Sequence, residues 1–366
     1  MNTDDPLIRE ARRSARAAHL RYVIDTSKGG LRRIRKGKGF AYVTERGRTI
    51  KNRRVLERIR SLVIPPAWSD VWICPWTNGH LQATGFDARG RKQYRYHPAW
   101  QQVRDEQKYG RLILFAEALP AIRRRVQRDL RRVSLPREKV LAAIVRLLEV
   151  TRIRIGNEEY AQQNATYGLT TIRHKHVQVH GARIQFDFQG KHQIEHEIEV
   201  DNSRLAQIVR RCKTLPREEL FAYRDYTGKL CDVKSADVNQ YLRQIAGREF
   251  SAKDFRTWAG TVAAVVELGH AVPATSARAA KLALAQAVEK VALQLRNTKA
   301  VCRKGYIHPA VIVAYEEGRL SHLVAHKHPR IRGLSVHETA ALAVLRWHQR
   351  HHRKPSIAVK IKSRAD

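Results

Sequence analysis

The sequence predicts an α+β chain: a small β-rich N-terminal domain, then a mainly helical domain that holds one β-hairpin. Three observations carry this reading. From about 38 to 98, short β-rich runs alternate with turn-forming residues; beyond about 97, apolar residues recur at helical spacing; and one strictly alternating segment, ARIQFDF, interrupts the helices. The expected divisions are 1–104, with a basic helical lead-in over 1–35, then 105–320, then a basic C-terminal extension over 321–366.

The elements follow in order. Ile8 to Leu20 read as a basic amphipathic helix, and Gly29-Gly30 ends the lead-in. FAYVT (Phe40–Thr44) and DVWICP (Asp70–Pro75) read as strands, with TNGH (Thr77–His80) and DARGR (Asp87–Arg91) as turns. LILFAEALPAIRRRVQRDLRRV pairs an apolar stripe with an arginine-rich face, an amphipathic helix that Pro120 is expected to interrupt. Val140, Leu141, Ile144, Leu147 and Leu148 mark the strongest helix, over 137–150. Ile184, Phe186 and Phe188 then alternate toward a turn at Gly190-Lys191, and IEHEIEV returns. Ser235 is placed to cap a helix ending at Gly247, and Ser251 with Asp254 forms a capping box for the next, which closes near Gly269. Thr275 or Ser276 opens an alanine-rich helix to about Arg296, a further helix covers Glu338–His348, and KPSIAVKIKSRAD reads as a frayed end.

Charge narrows the function. Lys and Arg total 70 against 34 Asp and Glu, a net +36. Such a field repels other basic proteins and attracts polyanions, nucleic acid ahead of an anionic membrane surface. No apolar run reaches the roughly 18 residues that span a bilayer, and MNTDDPLIREARRSARAAHL lacks the apolar segment of a secretion signal. Cys74, Cys212, Cys231 and Cys302 form no C-x-x-C pair, which argues against a disulfide framework or a cysteine zinc site and fits a reducing cytoplasm. Seven of the 17 histidines follow residue 320, among arginines and lysines rather than carboxylates, and read as basic surface.

Breaking a DNA phosphodiester by transesterification needs a nucleophile, cations for the phosphorane's extra charge, and a proton donor for the departing 5′-oxygen. Tyr306, in VCRKGYIHPAVI, sits behind Arg303 and Lys304 and is the candidate nucleophile. Arg154, in TRIRIGNEEY, and Arg256, in the first turn of the capped helix in KDFRTWAGT, are candidate phosphate clamps. Lys191, at the hairpin turn, is a candidate proton donor. Taken singly, Arg154 reads equally well as a surface arginine, Lys191 as a solvated turn lysine and Arg256 as half of a salt bridge.

Taken in order, RIRIGNEEY, FQGKHQIEHEI, KDFRTWAGT and CRKGYIHP resemble the type IB DNA topoisomerases of the poxvirus-like bacterial group, as does LQATGFDARGRKQYRYH (Leu81–His97). The resemblance runs from roughly 35 to 320 and implies a fold like that of topoisomerase IB and the tyrosine recombinases. It implies that Tyr306 attacks the backbone to leave a 3′-phosphotyrosyl link, that Arg154 and Arg256 hold the scissile phosphate, and that Lys191 is the general acid. Asn297 falls where poxviral and nuclear enzymes carry a histidine and similar bacterial enzymes an asparagine, a supporting hydrogen-bond donor. Gln93, Tyr94, Tyr96 and Tyr160 match positions that contact DNA. In LRNTK, Arg296 and Lys299 replace the glycine and proline that related bacterial segments have, which puts the geometry at Asn297 in doubt.

The expected partner is double-stranded DNA, handled by a monomer on the nucleoid in the cytoplasm, with no cofactor, nucleotide, metal or membrane. The sequence carries neither a phosphate loop of the G-x-x-x-x-G-K-[ST] kind nor an acidic cluster suited to two magnesium ions. A tyrosine recombinase shares the Arg–Lys–Arg–Tyr chemistry but usually has His-x-x-Arg where Lys253 precedes Arg256 here. A non-catalytic DNA-coating protein satisfies the charge alone and leaves the ordered motifs unexplained.

Overall fold

The structure, a computed structural model, describes residues 6–27, 29–271, 276–326 and 328–352. Thr275 and the KPSIAVKIKSRAD end lie outside the described residues. Tertiary contacts divide the chain into Met1–Gly110 and Arg111–Asp366.

In the first unit, α1 (Pro6–Ala17) precedes strands β1 (Leu31–Lys36) and β2 (Gly39–Thr44). Helix α2 (Arg53–Ser61), strands β3 (Ser69–Ile73), β4 (Leu81–Phe86) and β5 (Lys92–Tyr96), and helix α3 (Pro98–Gly110) follow. The strands form one antiparallel sheet in the order β2-β1-β3-β4-β5. Leu31, Val71, Ile73 and Ala83 pack with Ile59 of α2, while Val23, Trp72, Cys74 and Leu81 form a second cluster.

Three expectations need correcting here. The lead-in read as helical to 35 leaves its helix at Ala17, and LRRIRK, charged at four of six positions, is an inner strand of the sheet. Helix α2 was not foreseen in the β-rich stretch; Asn52 caps it by accepting from the Val55 amide, a signal the sequence does carry. The first unit also runs past 104, because α3 continues unbroken to Gly110 and packs on α1, where Arg104 pairs with Glu10 at 2.7 Å.

The second unit begins with α4 (Leu112–Leu130), α5 (Arg137–Thr151) and α6 (Glu158–Asn164). Strands β6 (Val177–His180), β7 (Arg183–Gln189) and β8 (Glu195–Asp201) pair antiparallel in that order, so the foreseen hairpin gains a third strand. Helix α7 (Ser203–Lys213), a small hairpin of β9 (Ala222–Arg224) and β10 (Leu230–Asp232), and helix α8 (Ser235–Ala246) lead to α9 (Ala252–Gly269). Then come α10 (Ala277–Leu295), α11 (Lys299–Gly305), α12 (Pro309–Glu316), α13 (Leu320–Ala325) and α14 (Val336–His351).

Helix α5 is the axis of this unit, with every residue from Lys139 to Val145 buried. Around it, Phe115 of α4 meets Phe250 and Phe255 edge-on, at ring distances of 5.3 and 5.0 Å. Pro120 does not interrupt α4: the helix runs through it, and the ring is buried against the Gly333 turn. One missing amide bond is outweighed by that packing. Asp254 closes the foreseen capping box on Ser251 at the start of α9 and also accepts two bonds from Arg111, at 3.0 and 3.1 Å. Ser276 caps α10 by accepting from Ala279. In the basic tail, α14 packs on α4, α9, α12 and α13; its Glu338 takes bonds from Arg123 at 2.7 Å and the Trp258 indole at 3.1 Å. Cys74, Cys212 and Cys302 are buried free thiols, and Cys231 is half-buried.

Candidate active site

Arg154 sits in the short loop between α5 and α6. Arg152 ends α5 in the left-handed conformation (φ 58°), and Ile153 behind it is buried. The Leu169 amide donates to the Arg154 carbonyl at 2.9 Å, and the Thr170 amide to the Ile155 carbonyl at 2.7 Å. A Cβ on Gly168 would lie 2.5 Å from the Gly156 nitrogen, so the two strands of loop meet where only glycine fits. The arginine therefore stands on a braced loop.

Arg256 follows one turn into α9 and is 4% exposed. Its guanidinium donates to the carbonyls of Arg152 and, at 2.8 Å, of Leu295, joining the ends of α5 and α10. No carboxylate pairs with Arg154, Arg256 or Arg296 among the described residues.

Arg296 ends α10 with φ 49°, the left-handed geometry that a glycine adopts freely and other residues hold at a cost of about 1–2 kcal/mol. The turn is thus the one a glycine would make, and Arg296 is held in it by a 2.8 Å bond to the Glu197 carbonyl of β8. Lys299 begins α11 and pairs with Glu289 at 2.6 Å. The two departures in LRNTK leave a well-formed turn, and Asn297 at its apex accepts from Arg154 Nη2.

Tyr306 caps the far end of α11. Its carbonyl accepts from Thr261 Oγ1 at 3.3 Å, and the same hydroxyl accepts from the His308 amide at 3.1 Å. A Cβ on Gly260 would stand 2.8 Å from that carbonyl and 3.0 Å from Leu295 Cδ1. Alanine normally gains about 1 kcal/mol over glycine inside a helix. Here the clash is with immovable backbone, and overpacking of about 1–3 kcal/mol outweighs the gain. Gly260→Ala is expected to lower the melting temperature and slow adduct formation; a variant as stable and as fast as the wild type would refute this contact.

The Tyr306 ring lies 5.2 Å from the Arg256 guanidinium carbon, and the charges of Arg256 and Arg154 both act on its hydroxyl. Burial opposes ionisation of the phenol. The charge of Arg256, its hydrogen bond, and the charges of Arg154 and Lys253 outweigh burial and hold the phenol below the ordinary tyrosine value. A depressed folded value favours the phenolate at lower pH than in free tyrosine. The corresponding stabilisation is present above the unfolded value and is lost as pH falls through the folded one. The difference in tyrosinate absorbance between wild type and Tyr306→Phe is therefore expected to titrate below about pH 10, the ordinary tyrosine value. A midpoint at or above that value would contradict the cationic cradle.

Several donors in this cluster are buried with no hydrogen-bond partner among the described residues: Arg154 Nη1, Arg256 Nε and Asn297 Nδ2. Unpaired buried donors are costly. Three of them on cations and an amide beside one phenol describe a seat for an oxyanion such as a phosphate.

The structure thus brings Tyr306, Arg154, Arg256 and Asn297 together. Lys191 stands at the exposed tip of the β7–β8 hairpin, in a 3-10 turn over Lys191–Gln193. Tyr160 lies in α6, and its side chain is outside the described residues. In the first unit, strand alternation separates the other candidates. Tyr94 and Tyr96 share one face of β5, 48% and 37% exposed, with rings 6.0 Å apart and nearly parallel. Gln93 points to the opposite face, where its amide donates to Asp87 at 3.0 Å. Sequence reasoning met Lys253, one helical turn before Arg256, only as a departure from the recombinase pattern, and passed over His196, which shares the inward phase of Ile198 in β8. Both signals were legible, since each is a matter of spacing.

A family model described as the eukaryotic DNA topoisomerase I catalytic core matches residues 97–326, and one for the bacterial DNA topoisomerase IB N-terminal domain matches 39–87. The DNA topoisomerase 1B of Acanthamoeba polyphaga mimivirus is 30% identical over 295 residues, covering 78% of this chain and 88% of that protein. The DNA topoisomerase 1B of vaccinia virus, strain Copenhagen, is 26% identical over 151 residues, or 40% of this chain and 48% of that protein. No described helix is long and apolar enough to cross a membrane. With the catalytic-core match spanning well over half its length, the chain belongs to the type IB DNA topoisomerases.

Proposed function

We propose that this topoisomerase relaxes supercoils of either sign through a transient single-strand break made by Tyr306. The phenol oxygen, its proton released to water, attacks phosphorus. The bond from phosphorus to the 5′-oxygen breaks, and that oxygen takes a proton from Lys191. A 3′-phosphotyrosyl link and a free 5′-hydroxyl result, and religation reverses each step. Arg154 and Arg256 neutralise the pentacoordinate phosphorane, and Asn297 adds an uncharged donor. The observation that carries this reading is the Tyr306 ring beside the Arg256 guanidinium, under the charge of Arg154, next to three buried donors without a hydrogen-bond partner among the described residues.

The ester keeps the energy of the backbone bond, so the cycle needs neither ATP nor a metal. One chain supplies every reacting group, so a monomer suffices. The N-terminal unit contributes DNA contacts, with Tyr94 and Tyr96 as an exposed aromatic pair and Gln93 as a further contact, and Tyr160 adds one from α6. A DNA substrate assigns the protein to the nucleoid. Plasmid relaxation in EDTA without ATP, with a covalent protein–DNA adduct trapped by denaturant, tests the proposal. Dependence on a nucleotide or a divalent cation, or failure to trap an adduct, would overturn it.

A further inference from the structure

His196 is 2% exposed, and neither ring nitrogen has a hydrogen-bond partner among the described residues. A neutral imidazole always carries one N–H and one lone pair, so this burial is unfavourable unless the ring serves a purpose there. Its surroundings are specific. The ring stacks on Phe188 at 4.8 Å, across the base of the hairpin. Its Nε2 edge faces Gly190 so closely that a Cβ there would lie 2.4 Å from Nε2. Gly190 immediately precedes Lys191 and is held to the returning strand by its amide bond to Ile194 at 2.8 Å. Behind the ring, burial and the charges of Arg296, Arg154 and Arg256 push the imidazole down to about 4, so it stays neutral among these cations. The next residue, Glu197, offers its carbonyl to Arg296, beside Asn297.

We propose that His196 is a positioning residue for the general acid: its ring is the floor on which the Gly190–Lys191 turn rests, and it fixes that turn relative to the arginine side of the site. This rests on the assignment of Lys191 as the proton donor. Gly190 has φ −93° and ψ −171°, a conformation open to any residue, so a glycine is needed there for the imidazole contact and not for the backbone. His196 touches neither the phosphate nor the phenol in this role. It acts through where it places Lys191.

The contact can be broken from either side. His196→Ala removes the floor, and Gly190→Ala drives a methyl into it. Each is expected to slow single-turnover cleavage of ordinary DNA by about tenfold or more, up to the roughly 10²–10⁴-fold that a general acid contributes. On DNA whose scissile 5′-oxygen is replaced by sulfur, a leaving group that needs no proton, both are expected to cut at near the wild-type rate. The double variant is expected to cut ordinary DNA faster than Gly190→Ala alone, because loss of the imidazole leaves room for the new methyl. If His196→Ala does not fold, His196→Phe, whose larger ring displaces the same turn, should give the same two-substrate pattern. Full-rate cleavage of ordinary DNA by both single variants overturns the proposal. So does equal slowing on both substrates, which would mean that the ring supports the site generally. Tyr306→Phe stays inactive on both substrates under every one of these outcomes, so the nucleophile assignment is tested separately.

Discussion

Tyr306→Phe is expected to abolish both relaxation and the covalent adduct, with plasmid DNA bound within about twofold of the wild type, because affinity for DNA rests mainly on phosphate contacts spread over the basic surface. The loss should be complete within detection, since the proposal places the ester on this hydroxyl alone. Phenylalanine keeps the ring beside Arg256, and the carbonyl of residue 306 still accepts from Thr261, so the fold should be unaffected. Gel electrophoresis of a denaturant-quenched reaction on supercoiled plasmid reads both activities at once. An adduct formed at normal speed by the Phe variant would move the nucleophile elsewhere and remove the basis for the site.

Arg256→Ala is expected to have the next largest effect. This guanidinium lies beside the Tyr306 ring, joins the ends of α5 and α10 through two carbonyls, and keeps an Nε without a partner among the described residues. Removing one oxyanion donor typically costs about 10²–10³ in rate. The Ala variant also loses the charge that most depresses the phenol, so the slowdown should lie at or above that range. Lysine should not restore it, because an ammonium cannot reach two carbonyls and a phosphate at once. Single-turnover cleavage measures the step directly. The pH at which the residual rate levels off should rise, as the phenol returns toward its ordinary value. A Lys variant cutting at the wild-type rate would show that charge alone matters and that the fork geometry does not.

Much of this was legible in residue order. β-rich composition in FAYVT and alternation in ARIQFDF marked strands, and the Ser251–Asp254 pair marked the start of α9, each through a rule that acts over a few residues. The failures share a cause as well. LRRIRK looked like surface charge, yet it is an inner strand because Leu31 alone reaches the core while Arg33 folds back onto the carbonyls of Pro65 and Trp68. Pro120 looked like a break, yet burial against the Gly333 turn holds it within a continuous helix. Gln93 and Tyr94 looked like one binding group, yet neighbouring residues on a strand face opposite ways.

For the site, the order of motifs named Arg154, Arg256, Asn297 and Tyr306 but gave no distance among them, since they lie on two loops, a helix and a helix end separated by as many as 152 positions (306 less 154). Residue type and local spacing determined which side chains have the chemistry and which elements carry them. Only the tertiary structure decided that the phenol ring lies beside the Arg256 guanidinium, that Arg296 takes the left-handed turn in place of glycine, and that a buried imidazole lies under the lysine turn. The reason is physical: the covalent chain sets chemistry over a few residues, whereas close-packing of distant segments sets which of them share a space.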